Sequence, residues 1–220
     1  MYLQITTRCN MTCAHCCMNC NHEGEDMPIH TVKKALEVFG AENVSIGGGE
    51  PTIHPQFWEI FGIVMGASLL SCDLVPSLVT NGSMTDISLA LAALAQKGAI
   101  GCSLSQDDYH DPIDEKVVRA FTVKDRFVRS AYGDVDGNDD LRDIRNVSGH
   151  EINAGRCDFG NEDDCVCNDF IVQPDGSVKL CGCDEAPIVG NVHEGFDGSG
   201  IYFEDDHCCK CVMKEEVCYA

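Results

Sequence analysis

The sequence predicts an α/β fold with a parallel sheet, followed by a small cysteine-rich extension that contains a β-hairpin. Two observations support this prediction. Short apolar segments typical of strands alternate with helical patterns through residue 131, and the sequence beyond residue 150 is rich in glycine and cysteine. Such alternation is typical of parallel βαβ units, whose loops meet at the carboxyl ends of the strands. We therefore expect one domain at residues 1–150 and a second at residues 151–220.

Each predicted element has its own local signal. Apolar and β-branched runs predict strands at 3–6, 43–47, 74–79, 99–104 and 126–131. Apolar residues spaced three or four apart predict helices at 29–39, 55–65, 85–96 and 113–121. The polar segment 132–149 is expected to form a loop. Beyond it, two apolar triplets flank Pro174-Asp175-Gly176, which predicts the hairpin.

The composition limits the classes of function. The 220 residues carry a formal net charge of −21, which argues against nucleic acid as a substrate. The longest apolar stretch, around residues 57–70, is too short and too interrupted to span a membrane. The first residues lack the pattern of a secretory signal. We therefore expect a soluble, cytoplasmic protein with no membrane partner.

The chain contains sixteen cysteines in two groups. Five lie within residues 9–20 and nine within residues 157–218, with only Cys72 and Cys102 between them. In a reducing cytosol such a count indicates metal binding rather than a disulfide framework. Two groups of cysteines, separated by a segment with few cysteines, are expected if one protein holds two metal sites.

The first cysteine group directly follows the first predicted strand. Cys9, Cys13 and Cys16 are spaced CxxxCxxC. Thiolates suit iron–sulfur clusters and zinc, and three of them can hold a cluster while leaving one metal position open, as catalytic sites require. The alternative is a zinc site with Cys17, Cys20 or His22 as the fourth ligand. The pattern assigns no role to Cys17 and Cys20.

Glycine and polar residues follow the next three predicted strands. Gly48 and Gly49 would let the backbone come close to a ligand, and the Glu50 carboxylate could bind an ammonium group. Further polar candidates at strand ends are Asn81, Ser103, Ser105 and Arg129. The alternative for Ser103, Ser105 and Arg129 is an ordinary strand end or a surface ion pair.

Together these motifs resemble those of the radical SAM superfamily: CxxxCxxC, then GGEP at residues 48–51, then TNG at residues 80–82. The resemblance implies a partial (β/α) barrel of about five or six parallel strands and a 4Fe–4S cluster on Cys9, Cys13 and Cys16. It implies an S-adenosylmethionine (SAM) site at Gly48, Gly49, Glu50, Asn81, Ser103, Ser105 and Arg129. Family chemistry is reductive cleavage of SAM to a 5′-deoxyadenosyl radical, which abstracts hydrogen from a substrate. A flavodoxin- or ferredoxin-like protein is the implied electron donor.

The second cysteine group resembles the SPASM or Twitch extension of that superfamily. Cys165, Gly176 and Cys181 follow its C-x(9–15)-G-x4-C pattern, and Gly155-Arg156 resembles the GR that often precedes it. The resemblance implies at least one auxiliary 4Fe–4S cluster with ligands among Cys165, Cys181, Cys208, Cys211 and Cys218. Zinc is the alternative metal. One or two clusters are compatible with the pattern, which leaves Cys157, Cys167, Cys183 and Cys209 unassigned.

Acidic and aromatic residues after the fourth predicted strand are the candidates for proton transfer. Asp107, Asp108 and Tyr109 follow Ser105 on the same rim. The more common role of such a string is to cap the following helix, with Asp111 before Pro112 as the start.

The extension favours a peptide or protein substrate, because superfamily members with such extensions often modify peptides. A small molecule or nucleoside is the alternative substrate. A non-catalytic iron–sulfur electron carrier or zinc protein is an alternative of another class, which the SAM motifs disfavour.

Overall fold

The computed structural model describes residues 1–70, 75–123, 128–130, 133–135, 140–148, 153–160 and 169–198, with only the backbone given at 128–130 and 133–135. The strands are β1 Tyr2–Thr6, β2 Ser45–Gly48, β3 Ser77–Thr80, β4 Gly101–Ser105, β5 Val128–Ser130, β6 Gly133–Val135, β7 Arg142–Arg145, β8 Ile171–Val172, β9 Ser177–Lys179 and β10 Ile188–Asn191. The helices are α1 Ile29–Phe39, α2 Phe57–Leu70, α3 Thr85–Gln96 and α4 Glu115–Thr122.

Eight of these strands form one open sheet in the order β10-β9-β8-β1-β2-β3-β4-β7. The six strands from β8 to β7 are parallel, whereas β9 and β10 are antiparallel additions at one end. The predicted α/β class, with five or six parallel strands, is confirmed. Helices α1 and α3 have the predicted bounds, Ile29–Phe39 and Thr85–Gln96.

The hydrophobic core lies between the sheet and its helices. Leu3, Ile5, Ile46, Leu78 and Leu104 from four adjacent strands are almost completely buried. Burying one such side chain contributes about 1.5–3 kcal/mol relative to leaving it exposed, so these strands are firmly fixed. Their carboxyl ends consequently form a rigid edge on which loop residues can be positioned.

The predicted fifth parallel strand at 126–131 was wrong. Its central residues form β5, which pairs antiparallel with β6 in a separate two-stranded sheet. The fifth strand of the core is β7, inside the segment predicted as a loop, and it pairs in parallel with β4. Because β7 is at the sheet edge, it tolerates a polar sequence. Its buried Arg142 is neutralised by Asp140 and donates a hydrogen bond to the Ala120 carbonyl.

The predicted hairpin is present and belongs to the main sheet. Strands β8 and β9 pair antiparallel around a turn in which Gly176 has a φ of +86°. Strand β8 also pairs in parallel with β1, with Tyr2 opposite Ile171. Val172 and Val178 are buried in the same hydrophobic cluster as Leu3. The hairpin at residues 171–179 is thus stabilised by the core sheet. Within the described ranges, no helix combines the length and hydropathy needed to cross a membrane.

Candidate active site

A cavity opens at the carboxyl ends of the parallel strands. Its walls come from the loop after β1 and from the ends of β2, β3, β4 and β7. Most of the predicted site residues of the first domain meet there. The lining includes Cys9, Cys13, Cys16, Gly48, Gly49, Asn81, Ser105 and Asp107, together with His15, His110, Arg145 and Arg156.

The three N-terminal cysteines lie on one short loop that is fixed to the sheet. At the start of the loop, Arg8 forms a two-point ion pair with Asp26, with nitrogen–oxygen distances of 3.0 and 2.6 Å. The Cys9 sulfur accepts hydrogen bonds from the Met11 backbone N–H at 3.4 Å and from the Asn81 side-chain amide at 3.9 Å. These donors hold Cys9 at the cavity wall.

The thiol chemistry of the loop fits a positively charged metal cluster. Burial, with the neighbouring Cys9 and Cys16 sulfurs, raises the pKa of Cys13 to about 11. Burial likewise raises the pKa of Cys9. A hydrogen bond from Cys20 lowers the pKa of Cys16, and the Arg156 guanidinium acts in the same direction. Three crowded thiolates need a cation to become stable together, and iron–sulfur clusters take such ligands. The donor set therefore fits the cluster.

Gly48 and Gly49 are required by the close packing of β1 and β2 as well as by the cavity. A Cβ on Gly49 would lie 2.0 Å from the Arg8 carbonyl oxygen. Gly48 has a φ of +142°, and a Cβ there would lie 2.2 Å from the Thr6 carbonyl oxygen. A side chain at either position would displace backbone, which indicates why this strand end contains glycine.

The Glu50 carboxylate points into the protein rather than lining the cavity. It is completely buried and accepts hydrogen bonds from the Thr52 N–H, the Thr52 hydroxyl, the Thr80 hydroxyl and the Asn81 N–H. Burial raises the pKa of Glu50, and the hydrogen bonds from Asn81, Thr52 and Thr80 oppose that rise. In this structure Glu50 joins the ends of β2 and β3. Its predicted role toward an ammonium group stays a prediction.

Asn81 connects β3 to the cysteine loop. Its side-chain amide donates to the Asn10 side-chain oxygen at 3.0 Å, and its own side-chain oxygen accepts from the Ser83 N–H at 3.0 Å. Because Asn81 is almost completely buried at the cavity wall, its orientation is fixed by these contacts. The TNG segment thus positions the loop that contains Cys9.

The remaining predicted SAM contacts are placed unequally. Ser105 lines the cavity, whereas Ser103 is outside the lining. Arg129 lies in β5, away from the main sheet, and its side chain is outside the described residues. Arg145, opposite Ser105 in the β4–β7 pairing, lines the cavity, as does Arg156. Sequence reasoning missed Arg145 because β7 has only one strongly apolar residue, Ile144, and lacks a strand signal.

Asp107 forms a compact cluster with two histidines at the cavity. Its carboxylate accepts from His110 at 2.6 Å and lies 3.7 Å from His15. Although burial acts to raise the pKa of Asp107, the hydrogen bonds from His110 and the Tyr109 N–H lower it. The Tyr109 ring lies against His15, with 4.8 Å between centroids, and Asp108 is outside the lining. The expected helix cap at Asp111 was wrong, because Asp114 caps α4 by accepting from the Lys116 N–H.

The C-terminal cysteines are described in part. Cys181 and Cys183 are buried beside Ala154 and Ala186, and Cys17 of the N-terminal loop packs against them. Cys157 is also buried. Cys165, Cys208, Cys211 and Cys218 lie outside the described residues, as do Cys167 and Cys209. Their predicted ligand roles stay predictions.

The fold and the cavity define a member of a known enzyme class. The family model of the Radical SAM superfamily matches residues 3–131, more than half of the chain. The chain therefore belongs to the radical SAM superfamily, whose enzymes use a 4Fe–4S cluster and SAM. This assignment favours an enzyme over the alternative of a non-catalytic electron carrier or zinc protein.

Curated relatives match smaller parts of the chain. GTP 3′,8-cyclase from Photorhabdus laumondii is 26% identical over 137 residues, which are 60% of this chain and 39% of that protein. Mycofactocin maturase MftC from Mycobacterium ulcerans is 34% identical over 61 residues, or 26% of this chain and 16% of that protein. The aligned parts span less than half the length of these two relatives.

Two groups of solved structures share the fold. BtrN in complex with AdoMet and 2-DOIA superposes with a TM-score of 0.62 at 19% identity, covering 88% of this chain and 78% of BtrN. The enzyme anSMEcpe with bound AdoMet and the Cp18Cys peptide gives a TM-score of 0.52 at 16% identity, covering 88% and 77%. At such identities the likeness shows the fold alone.

Proposed function

We propose that the chain reductively cleaves SAM and uses the resulting 5′-deoxyadenosyl radical to abstract hydrogen from a substrate. The main support is the meeting of three half-buried thiols with two glycines and Asn81 in one cavity of a radical SAM fold. When bound to Cys9, Cys13 and Cys16, the cluster would supply the electron for SAM cleavage. A flavodoxin- or ferredoxin-like protein is the proposed source of that electron.

We propose that backbone atoms at Gly48 and Gly49 face the methionine end of SAM. The Glu50 carboxylate accepts hydrogen bonds from Thr52, Thr80 and Asn81, so it positions Asn81, and we keep the SAM ammonium group as its proposed ligand. Ser105 and Arg145 also line the cavity, where a hydroxyl and a guanidinium can bind ribose and carboxylate groups. Ser103 and Arg129 stay proposed contacts of SAM.

Asp107 is the strongest of the three candidates for proton transfer. It lines the cavity, and His110 holds its carboxylate in place at 2.6 Å. An ionised carboxylate beside the substrate can accept a proton once hydrogen abstraction has acidified a neighbouring group. Tyr109 contacts His15 and would orient that side of the cavity.

The decisive experiment is anaerobic reconstitution with iron and sulfide, followed by SAM and dithionite. The wild-type protein is expected to release 5′-deoxyadenosine, whereas Cys13→Ala should release none and lose the cluster spectrum. Cys102→Ala is the matched control, because Cys102 is a buried thiol in β4 outside the cavity lining. Equal 5′-deoxyadenosine formation by Cys13→Ala and wild type would refute the proposal.

We propose a peptide or protein as the substrate and at least one auxiliary cluster in residues 151–220. A maturase among the relatives and the peptide-bound anSMEcpe structure support the peptide. GTP 3′,8-cyclase and the BtrN complex support a small molecule as the second candidate. Size-fractionated cell extract distinguishes the two, because only the fraction with the substrate should raise 5′-deoxyadenosine formation above its substrate-free rate.

A further inference from the structure

The two cysteine groups meet in space, at a place where the sequence pattern assigned no ligand. Cys17 follows Cys16 directly, and its side chain packs against the buried pair Cys181 and Cys183. The second group of thiols therefore includes Cys17 of the N-terminal loop.

Backbone contacts hold the two segments together at this point. The Asp184 N–H donates to the Cys17 carbonyl at 2.8 Å, and the Arg156 N–H donates to the Cys16 carbonyl at 3.0 Å. Gly155 has a φ of +59°, and a Cβ there would lie 2.3 Å from the Cys17 carbonyl oxygen. A glycine in this conformation is therefore what permits the close approach.

Side chains extend the same junction. The Asn19 side-chain amide donates to the Asp184 carboxylate at 3.2 Å. A Cβ on Gly182, between Cys181 and Cys183, would lie 2.7 Å from the Met18 methyl group. The Cys183 N–H donates to the Cys181 sulfur at 3.3 Å. The junction thus places three thiols in a largely buried position.

From these contacts we infer that Cys17 is a ligand of the auxiliary iron–sulfur site, together with Cys181 and Cys183. This inference rests on the auxiliary cluster proposed above and assigns it a ligand from the N-terminal loop. Three clustered thiols are a donor set that iron–sulfur clusters accept. Cys181 and Cys183 are buried beside Ala154 and Ala186, whereas Cys17 is half-buried and also lines the cavity.

The arrangement connects the auxiliary site to the SAM site by a single peptide. Cys16 belongs to the first ligand set and Cys17 to the second, and consecutive Cα atoms are about 3.8 Å apart. An electron taken up from a substrate radical would therefore have a short covalent route between the two sites. Two reduced clusters on neighbouring residues would also be magnetically coupled.

Metal analysis and electron paramagnetic resonance of the reconstituted holoprotein test the inference. Cys17→Ala is expected to retain SAM cleavage and the iron of the first cluster while losing the iron of the auxiliary site. Cys183→Ala should cause the same loss, and the double variant should lose no more than either single variant. Cys102→Ala, which removes a buried thiol elsewhere, should retain all iron. The coupling signal of the reduced protein should disappear with Cys17.

Alkylation of the wild-type holoprotein gives a readout that does not depend on a variant folding. Cys17 should resist iodoacetamide until a chelator removes the metal, and mass spectrometry would then detect its modification. Modification of Cys17 in the fully loaded protein, or unchanged iron in Cys17→Ala, would overturn the inference. Wild-type protein that cleaves SAM but holds only one cluster, or holds zinc at the second site, would refute the auxiliary cluster and leave the radical SAM proposal standing.

Discussion

Glu50 illustrates how one residue fixes the edge of the sheet. One carboxylate oxygen accepts three hydrogen bonds from Thr52 and Thr80, and the other accepts one from the Asn81 N–H at 2.6 Å. Each of these donors belongs to a segment that enters or follows a strand end. The carboxylate thereby sets the position of Asn81, which in turn contacts Asn10 and Cys9.

Replacing Glu50 by Gln is expected to lower the free energy of unfolding by about 1–3 kcal/mol, because an amide leaves one buried donor facing another. SAM affinity should fall as well, since Asn81 loses its anchor. Denaturant unfolding and equilibrium SAM binding measure the two effects. Glu59→Gln, at an exposed site on α2, is the control and should change the unfolding free energy by less than about 0.5 kcal/mol. Unchanged stability in Glu50→Gln would contradict this account.

His54 contributes to the pH dependence of stability, as does His15, whose pKa is also lowered by burial. The side chain is buried, with one ring nitrogen 3.1 Å from the Met27 carbonyl and the other accepting from the Gln56 N–H at 3.0 Å. Those two partners fit the neutral imidazole. Burial lowers the pKa of His54 below its ordinary value. The unfolded chain therefore binds the proton more readily than the folded one.

Stability should consequently decrease as the pH falls below about 6.5, the ordinary histidine pKa, and should be fully present above it. Thermal unfolding of the anaerobic protein between pH 7.5 and 5.5 measures this loss. His54→Asn is expected to make the melting temperature less dependent on pH. The exposed His22 offers the comparison, because His22→Asn should keep the wild-type slope. An unchanged slope in His54→Asn would refute the assignment.

At the scale of elements, the loop after β1 and the segment around Gly155 are one structural unit. The Cys17 carbonyl occupies the space that a side chain at residue 155 would need. Gly155→Ala therefore adds a backbone clash to the strain of a positive φ. Gly195 also has a positive φ, +83°, but a Cβ there meets nothing within 4 Å.

Gly195→Ala is accordingly expected to cost about 1–2 kcal/mol, the penalty of the left-handed conformation alone. Gly155→Ala should cost more and should also reduce iron at the auxiliary site. Denaturant unfolding and iron analysis compare the two variants. If both variants were equally destabilised and both kept all their iron, the close contact between the Cys17 loop and Gly155 would not be needed for the auxiliary site.

Sequence patterns predicted elements well where their apolar spacing was regular. Helices α1 and α3 have repeating buried positions, and strands β1 to β4 end in glycine or polar residues typical of a parallel sheet. Strand β7 escaped prediction because an edge strand needs few apolar residues. The contact of Cys17 with Cys183 was equally unpredictable, since it joins residues 166 positions apart (183 − 17) and depends on the tertiary fold.

At the scale of the whole molecule, the motifs identified the enzyme class because each lies at a strand end of one sheet. Cys9 to Cys16, Gly48 with Gly49, and Asn81 lie at the ends of three adjacent parallel strands, so their meeting in one cavity follows from topology. The presence of Arg145 in the cavity could not be predicted in this way. It depended on which segment supplies the fifth strand, and local composition favoured the wrong one.

The pairing of β1 with β8 affects how the chain folds. Strand β1 pairs with β2 on one edge and with β8 on the other, so its second edge stays unpaired until residue 171 has folded against Tyr2. Contacts between residues so far apart in sequence slow folding. Until β8 pairs with it, one edge of β1 is open, a state prone to misassociation.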